Sequence, residues 1–210
     1  MRIHASTPLY VGEEELARRQ ARYNRIAPTG VTIELHDLPD AAPRSLETDE
    51  DCRESEEFVI EALSAAPQGV DAVFADCVLD PGITTLQRTL SIPAIGILRT
   101  NLAHARALGR PTAAVVRNQA IADEMRRIAE ESGLGDVLTD IRLLKLDFAA
   151  VTDHDLWQAQ LESAAADAAS AGASTLLNGC SAVDTDTTTG PVTVYDPVAR
   201  ALRLVAAGAL

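Results

Sequence analysis

"GVDAVFADCVLDPG", residues 69–82, is an apolar run that ends in a cysteine and then in the turn-forming triplet Asp80-Pro81-Gly82. Its apolar part shows no alternation of polar and apolar positions. That is the pattern of a strand covered on both faces, as in a parallel sheet. A second stretch, "GASTLLNGCSAVD" at residues 172–184, repeats the plan: a glycine, seven residues, then a cysteine, Gly69 with Cys77 and Gly172 with Cys180. In open α/β sheets ligands bind beyond the carboxyl ends of the strands, and the reading puts both thiols there. A single such cysteine would be read as an ordinary buried small residue. The matched context predicts instead two similar halves whose thiols face each other across a substrate.

Working outward, short apolar runs alternate with helical patterns along the chain. Strands are expected over residues 2–6, 31–35, 72–76, 94–98, 112–116, 141–146, 175–177 and 192–195. Helices are expected over 13–26, 54–65, 81–90, 103–108, 119–132 and 155–171, with a last one from residue 197 onward. Asp80-Pro81 and Asp196-Pro197 each offer a capping carboxylate before a proline at the first helical position. Thr152 with Asp155 resembles a capping box. The alternation implies an α/β fold of βαβ units with right-handed crossovers. It divides into a first lobe, residues 1–98, and a second, 99–196, with the helix of 197–210 packing back on the first. No Gly/Ser-rich linker separates them, so two tightly joined lobes with parallel sheets and a cleft between them are expected.

Composition narrows the function. The chain has 210 residues, 47% hydrophobic but only 3% aromatic, so its core must be aliphatic. A net charge of −13, a single Lys (Lys145) and no run of basic residues argue against a nucleic-acid partner. Ten carboxylates against Arg44 and Arg53 fall between Glu34 and Glu57. A solvated loop and outer helix face is the favoured account of that segment, with a mobile acidic lid as the alternative. Three cysteines without a CxxC pair suggest neither a disulfide framework nor a redox motif. "MRIHASTPLYVG" has no apolar leader pattern and no stretch reaches a membrane span, so a soluble cytoplasmic protein without a membrane partner is expected.

Other chemistries find little support. His4, His36, His104 and His154 show no HxxxH or HExxH spacing, so no metal site is expected. His4 reads as a satisfied core histidine. Cys52 lies in "DEDCRE", where neighbouring carboxylates suppress the thiolate, and reads as inert. "GCSAVD" is not a nucleophile elbow, and no glycine-rich phosphate loop is present.

"DAVFADCVLDPG", "GASTLLNGCSAVD" and the closing "PVTVYDPVARAL" resemble the Asp/Glu/hydantoin racemase superfamily, most of all its hydantoin and allantoin racemase branch. The most specific element is Cys77, Asp80, Pro81 and Gly82 in Cys-x-x-Asp-Pro-Gly spacing, and the likeness runs along nearly the whole chain. The resemblance implies two pseudo-symmetric α/β lobes, no cofactor, a small-molecule substrate, a homo-oligomer, and Cys77 and Cys180 as the catalytic acid/base pair. Racemisation of a carbon next to a carbonyl takes a proton from one face and returns one to the other. Sulfurs about 3–3.5 Å from that carbon on either side would stand roughly 7 Å apart. The backbone N–H groups of Val78 and Ser181, after each cysteine, could hold the enolate oxygen, with help from the helix expected at Asp80.

The chain also departs from the family pattern. Where hydantoin racemases carry Asn-Pro-Asn after the first strand, it has "ASTP", so Ser6 and Thr7 would donate instead. Asp76 stands where a small residue is usual and would raise the Cys77 thiol unless it points away. The family's threonine pair after the fifth strand is here Arg117-Asn118; Arg117 could take a substrate carboxylate bidentately, which would favour a charged substrate over a plain hydantoin, or be a surface residue at a helix start. Two alternatives stay open: a maleate isomerase-like or decarboxylase reaction on the same fold, and a non-catalytic binding module.

Overall fold

The computed structural model describes residues 1–146, 153–185 and 192–208. Two parallel sheets flanked by helices form the α/β fold. The first contains β1 (Arg2–Ser6), β2 (Thr32–His36) and β3 (Ala72–Ala75) in the order β2-β1-β3. The second contains β4 (Thr112–Val116), β5 (Leu138–Leu143), β6 (Thr175–Asn178) and β7 (Thr193–Tyr195) in the order β5-β4-β6-β7. Each half starts with the strand that ends up between its next two, so the same winding occurs twice. The helices are α1 (Glu13–Ile26), α2 (Asp49–Ser64), α3 (Ile83–Thr89), α4 (Ile97–Ala107), α5 (Gln119–Glu131), α6 (His154–Ser170) and α7 (Pro197–Ala206).

Strand periodicity separates two cores. Every residue of β4 is fully buried. Ala113 and Val115 pack with Trp157 and Leu161 of α6, while Ala114 and Val116 point the other way, toward Met125 and Ile128 of α5. Each buried Val, Leu or Ile contributes about 1.5–3 kcal/mol, so an aliphatic core suffices without aromatic bulk. The larger core runs without a break from Ile3 and Val73 in the first sheet to Val116 and Leu177 in the second. It takes in Val198, Leu202 and Val205 of α7, which packs on α4, and Asn101 Nδ2 of α4 donates to the Pro197 carbonyl at 2.8 Å.

Four expectations are corrected. The strand expected over 94–98 shrinks to one bridge, Val73 with Ala94, and α4 starts at Ile97. Asp80 explains this: its carboxylate accepts from Leu98 N and Arg99 N, both at 3.0 Å, and so nucleates a helix there. Asp80 therefore caps α4 and not α3, whose N-cap is Gly82. β5 begins three residues earlier than expected, because an edge strand tolerates the polar Thr139 and Asp140 that break an apolar run. α2 begins at Asp49 and not at residue 54, through a capping box of Thr48 and Asp51. Asp196 caps α7 as expected, accepting from Val198 N and Ala199 N at 2.9 Å. Thr152, proposed as a cap of α6, lies outside the described residues; Asp153 accepts from Leu156 N at 3.0 Å.

Candidate active site

β3 ends at Ala75, and Asp76 N still donates to the Ser6 carbonyl at 2.8 Å before the chain leaves the sheet. Cys77 follows in a tight turn, its N–H bonded to Ala75 O at 2.7 Å and its carbonyl receiving Asp80 N at 3.3 Å. Asp80 holds a left-handed φ of 49°, a strain offset by the two α4 amides it satisfies. In the second half Gly179 N donates to the Val115 carbonyl at 2.8 Å, and Cys180 comes next. A Cβ at Gly179 would stand 2.4 Å from that carbonyl oxygen, so only glycine allows β6 to end this close to β4. Asn178 fastens the turn, accepting from Cys180 N at 3.2 Å and from Trp157 Nε1 at 3.1 Å.

Cys77 and Cys180 line one cavity of about 60 Å³ beyond the carboxyl ends of strands from both sheets. Val78, Ser181 and Arg117 also border it, together with Arg19, Leu46 and Ile121. The other four residues singled out from the sequence stand outside this lining. Ser6 is buried at the end of β1. Thr7 Oγ1 donates to Leu9 O at 2.7 Å and is 2.9 Å from Asp37 Oδ1. Asp80 is occupied with α4. Asn118 caps α5 by accepting from Ile121 N and donates through Nδ2 to Leu46 O at 2.7 Å.

Both thiols are pushed up by burial, and each is pulled back by the amide two residues on, Leu79 N–H for Cys77 and Ala182 N–H for Cys180. Asp76 points away from the cavity. Its carboxylate accepts from Tyr23 OH at 2.6 Å and pairs with Arg19 at 3.1 Å, yet its charge still raises Cys77. Burial, with Glu124 and Asp49, pushes Cys52 up to about 12. A void of about 10 Å³ borders both Cys52 and Cys77.

Arg19 and Leu46 were not among the residues singled out from the sequence. A signal for Arg19 existed: Arg18, Arg19, Arg22 and Arg25 recur at helical spacing in an acidic chain. Arg18 donates to the Ala182 carbonyl at 3.0 Å, and Arg22 pairs with Asp184 at 2.9 Å and with Asp196. One helix face of the first half thus grips the loop that follows Cys180. Leu46 belongs to the acidic segment. There Leu38, Ala42 and Leu46 are buried, Glu47 pairs with Arg117 at 2.6 Å, and Arg117 also donates to Leu46 O at 3.0 Å. Glu50, Glu54 and Glu57 face water. Among the described residues no group of three or more His, Cys, Asp or Glu could hold a metal ion, and no helix is long and apolar enough to cross a membrane.

A doubly repeated parallel α/β fold with one thiol at the tip of a strand in each half is thus on hand. The profile of the Asp/Glu/hydantoin racemase family matches residues 12–205, and the chain belongs to that family. Among solved structures it is similar to an allantoin racemase from Klebsiella pneumoniae, with a TM-score of 0.81 at 21% identity, covering 99% of this chain and 86% of that one. An allantoin racemase from Pseudomonas fluorescens gives 0.79 at 16% identity, covering 100% and 92%. A maleate isomerase from Pseudomonas putida gives 0.63 at 17%, covering 100% and 93%. The sequence has no match among curated proteins.

Proposed function

We propose that the protein is a cofactor-independent racemase or epimerase that inverts a carbon acid next to a carbonyl, with Cys77 and Cys180 as base and acid on opposite faces. The observation that carries this reading is the meeting of two free thiols, from matching places in the two halves, in one cavity. A thiolate takes the α-hydrogen from one side, the opposed thiol returns a proton to the other, and the roles reverse for the second enantiomer. The enolate oxygen is received by the amides that follow each cysteine at Val78 and Ser181. Ser6, Thr7, Asp80 and Asn118 act on the site through the turns they hold.

An uncharged ring, such as a hydantoin or allantoin, is favoured over a dicarboxylate because Arg117, the cation that would take a carboxylate, is already matched by Glu47 at 2.6 Å. The protein works in the cytoplasm, where thiols stay reduced, and as a homo-oligomer, which light scattering showing only a 22 kDa monomer would refute.

Incubation with hydantoins, allantoin, Asp, Glu and maleate in D2O tests the reading. Deuterium at the stereocentre with loss of rotation marks a racemase; fumarate marks an isomerase; a ligand bound and unchanged marks a binding module. Cys77→Ser and Cys180→Ser should each lower racemisation by several orders of magnitude while exchange of one enantiomer's α-hydrogen can survive. Cys52→Ser should change the rate less than about twofold.

A further inference from the structure

Resting on the two-thiol reading above, the inference concerns which thiol gives up its proton first, before substrate arrives. Asp76 is joined directly to Cys77, and its carboxylate pairs with Arg19 at 3.1 Å. Arg19 itself borders the cavity alongside Cys180, while its Nε is held by Glu15 at 2.7 Å. Both members of the Arg19–Asp76 pair are almost wholly buried, at 3% and 1% exposure, so water screens little of their field. Ser181 Oγ donates to the Asp76 carbonyl at 2.7 Å and Arg18 to the Ala182 carbonyl at 3.0 Å, which fixes the Cys180 loop against the pair.

We propose that the buried Arg19–Asp76 ion pair lies with its positive end toward Cys180 and its negative end toward Cys77, so that Cys180 gives up its proton more readily than Cys77 in the free protein. Arg19 is then a positioning residue acting through Cys180. The surrounding charges agree. Cys180 is faced by Arg19 and Arg22 from α1 and by Asp76 from beyond β3, and Arg19 outranks Asp76 in effect. Cys77 is faced by Asp76, by Cys52 from α2 and by Asp80, all of which disfavour its thiolate against the pull of the Leu79 amide. The substrate face bearing the hydrogen nearest Cys180 is therefore the one whose base forms first as the pH rises. Because two enantiomers are equal in free energy, a racemase has equal kcat/KM for both, so the asymmetry is read on the free protein and not on the steady-state rate.

Single-cysteine variants separate the two titrations. Cys52→Ser/Cys77→Ser reports Cys180, Cys52→Ser/Cys180→Ser reports Cys77, and thiolate ultraviolet absorbance is followed against pH without substrate. Cys180 should titrate below Cys77. Arg19→Met should raise the Cys180 midpoint by about one unit or more and move that of Cys77 less, and Arg19→Lys should restore most of the shift. Equal or reversed midpoints overturn the proposal, as does a folded Arg19→Met protein in which Cys180 titrates unchanged. Should Arg19→Met fail to fold, the order of the two midpoints in the Arg19 protein decides alone. No step needs turnover, so a correct thiol order without deuterium exchange on any substrate would sink the racemase reading while leaving this one standing.

Discussion

The turns that carry Cys77 and Cys180 occupy matching places in the two sheets but are held by different chemistry. Around Cys77 the backbone closes on itself, and a carboxylate, Asp80, reaches forward to start α4. Around Cys180 one amide, Asn178, joins the cysteine's N–H, its carbonyl and Thr185 to the indole of Trp157. The residue before the cysteine differs too: Asp76 has room to send its side chain into α1, whereas Gly179 has none against Val115. The repeat is therefore one of winding and strand order, and the local bonds in each half answer to that half's own neighbours. That is why the electrostatics of the two thiols can differ while their positions match.

The comparison breaks most severely at Gly179. Gly179→Ala puts a methyl 2.4 Å from a carbonyl of the central strand β4 and 2.6 Å from Val116 Cγ1, so the Cys180 turn itself must move. A shift near 1 Å should lower racemisation by about a hundredfold, with a loss of about 3 kcal/mol in urea unfolding. Activity within a few-fold of normal would show that the close approach does not place the thiol.

Asn178→Ala comes next. It leaves the Trp157 indole N–H and the Cys180 N–H without acceptors inside the protein, and should cost about 2 kcal/mol. A loss well under 1 kcal/mol would mean that the Cys180 turn is held by something other than this amide.

The smallest effect sharpens the contrast at Asp80, which burial pushes up to about 7 against the pull of the Arg99 and Leu98 amides. A carboxyl whose folded pKa exceeds its unfolded value near ~3.9 binds its proton more tightly when folded. Its contribution is fully present below the unfolded value and is lost as the pH rises through about 7. Asp80→Asn should cost about 1 kcal/mol through one lost acceptor and flatten the decline in stability between pH 5 and pH 8. An equal difference between the two proteins at both pH values would show that Asp80 does not titrate there.

The strands nearest the site were the most legible parts of the sequence. β3 and β4 lie buried throughout, and Ala72–Ala75 and Ala113–Val116 are apolar without interruption; burial is what an apolar run records. β5 and the start of α2 were misplaced for the same reason in reverse. An edge strand keeps Thr139 and Asp140, and Asp49 and Glu50 looked like loop because their role is helix capping and solvent exposure. The cysteines could be found from their matched spacing. Leu46 reaches the cavity from a segment far from either cysteine, through contacts no local pattern encodes; for Arg19 the helical spacing of the arginines marked a shared face but not what that face meets. Asp80 could be read as a cap, but not as the cap of a helix that begins seventeen residues later (97 − 80).

One consequence of the α1 arginines concerns synthesis. Arg18 meets Ala182 164 residues downstream, and Arg22 meets Asp184 and Asp196 at 162 and 174 residues downstream. At roughly 5–20 residues per second, the nascent helix waits about 10–30 seconds after leaving the ribosome before those partners exist. During that interval its cations cannot be buried without loss, so α1 stays hydrated and the first sheet lacks its finished cover. The early-made half is completed only when the loop of the second cysteine emerges, and a chain released before that point would remain open at the place where the two thiols are meant to meet.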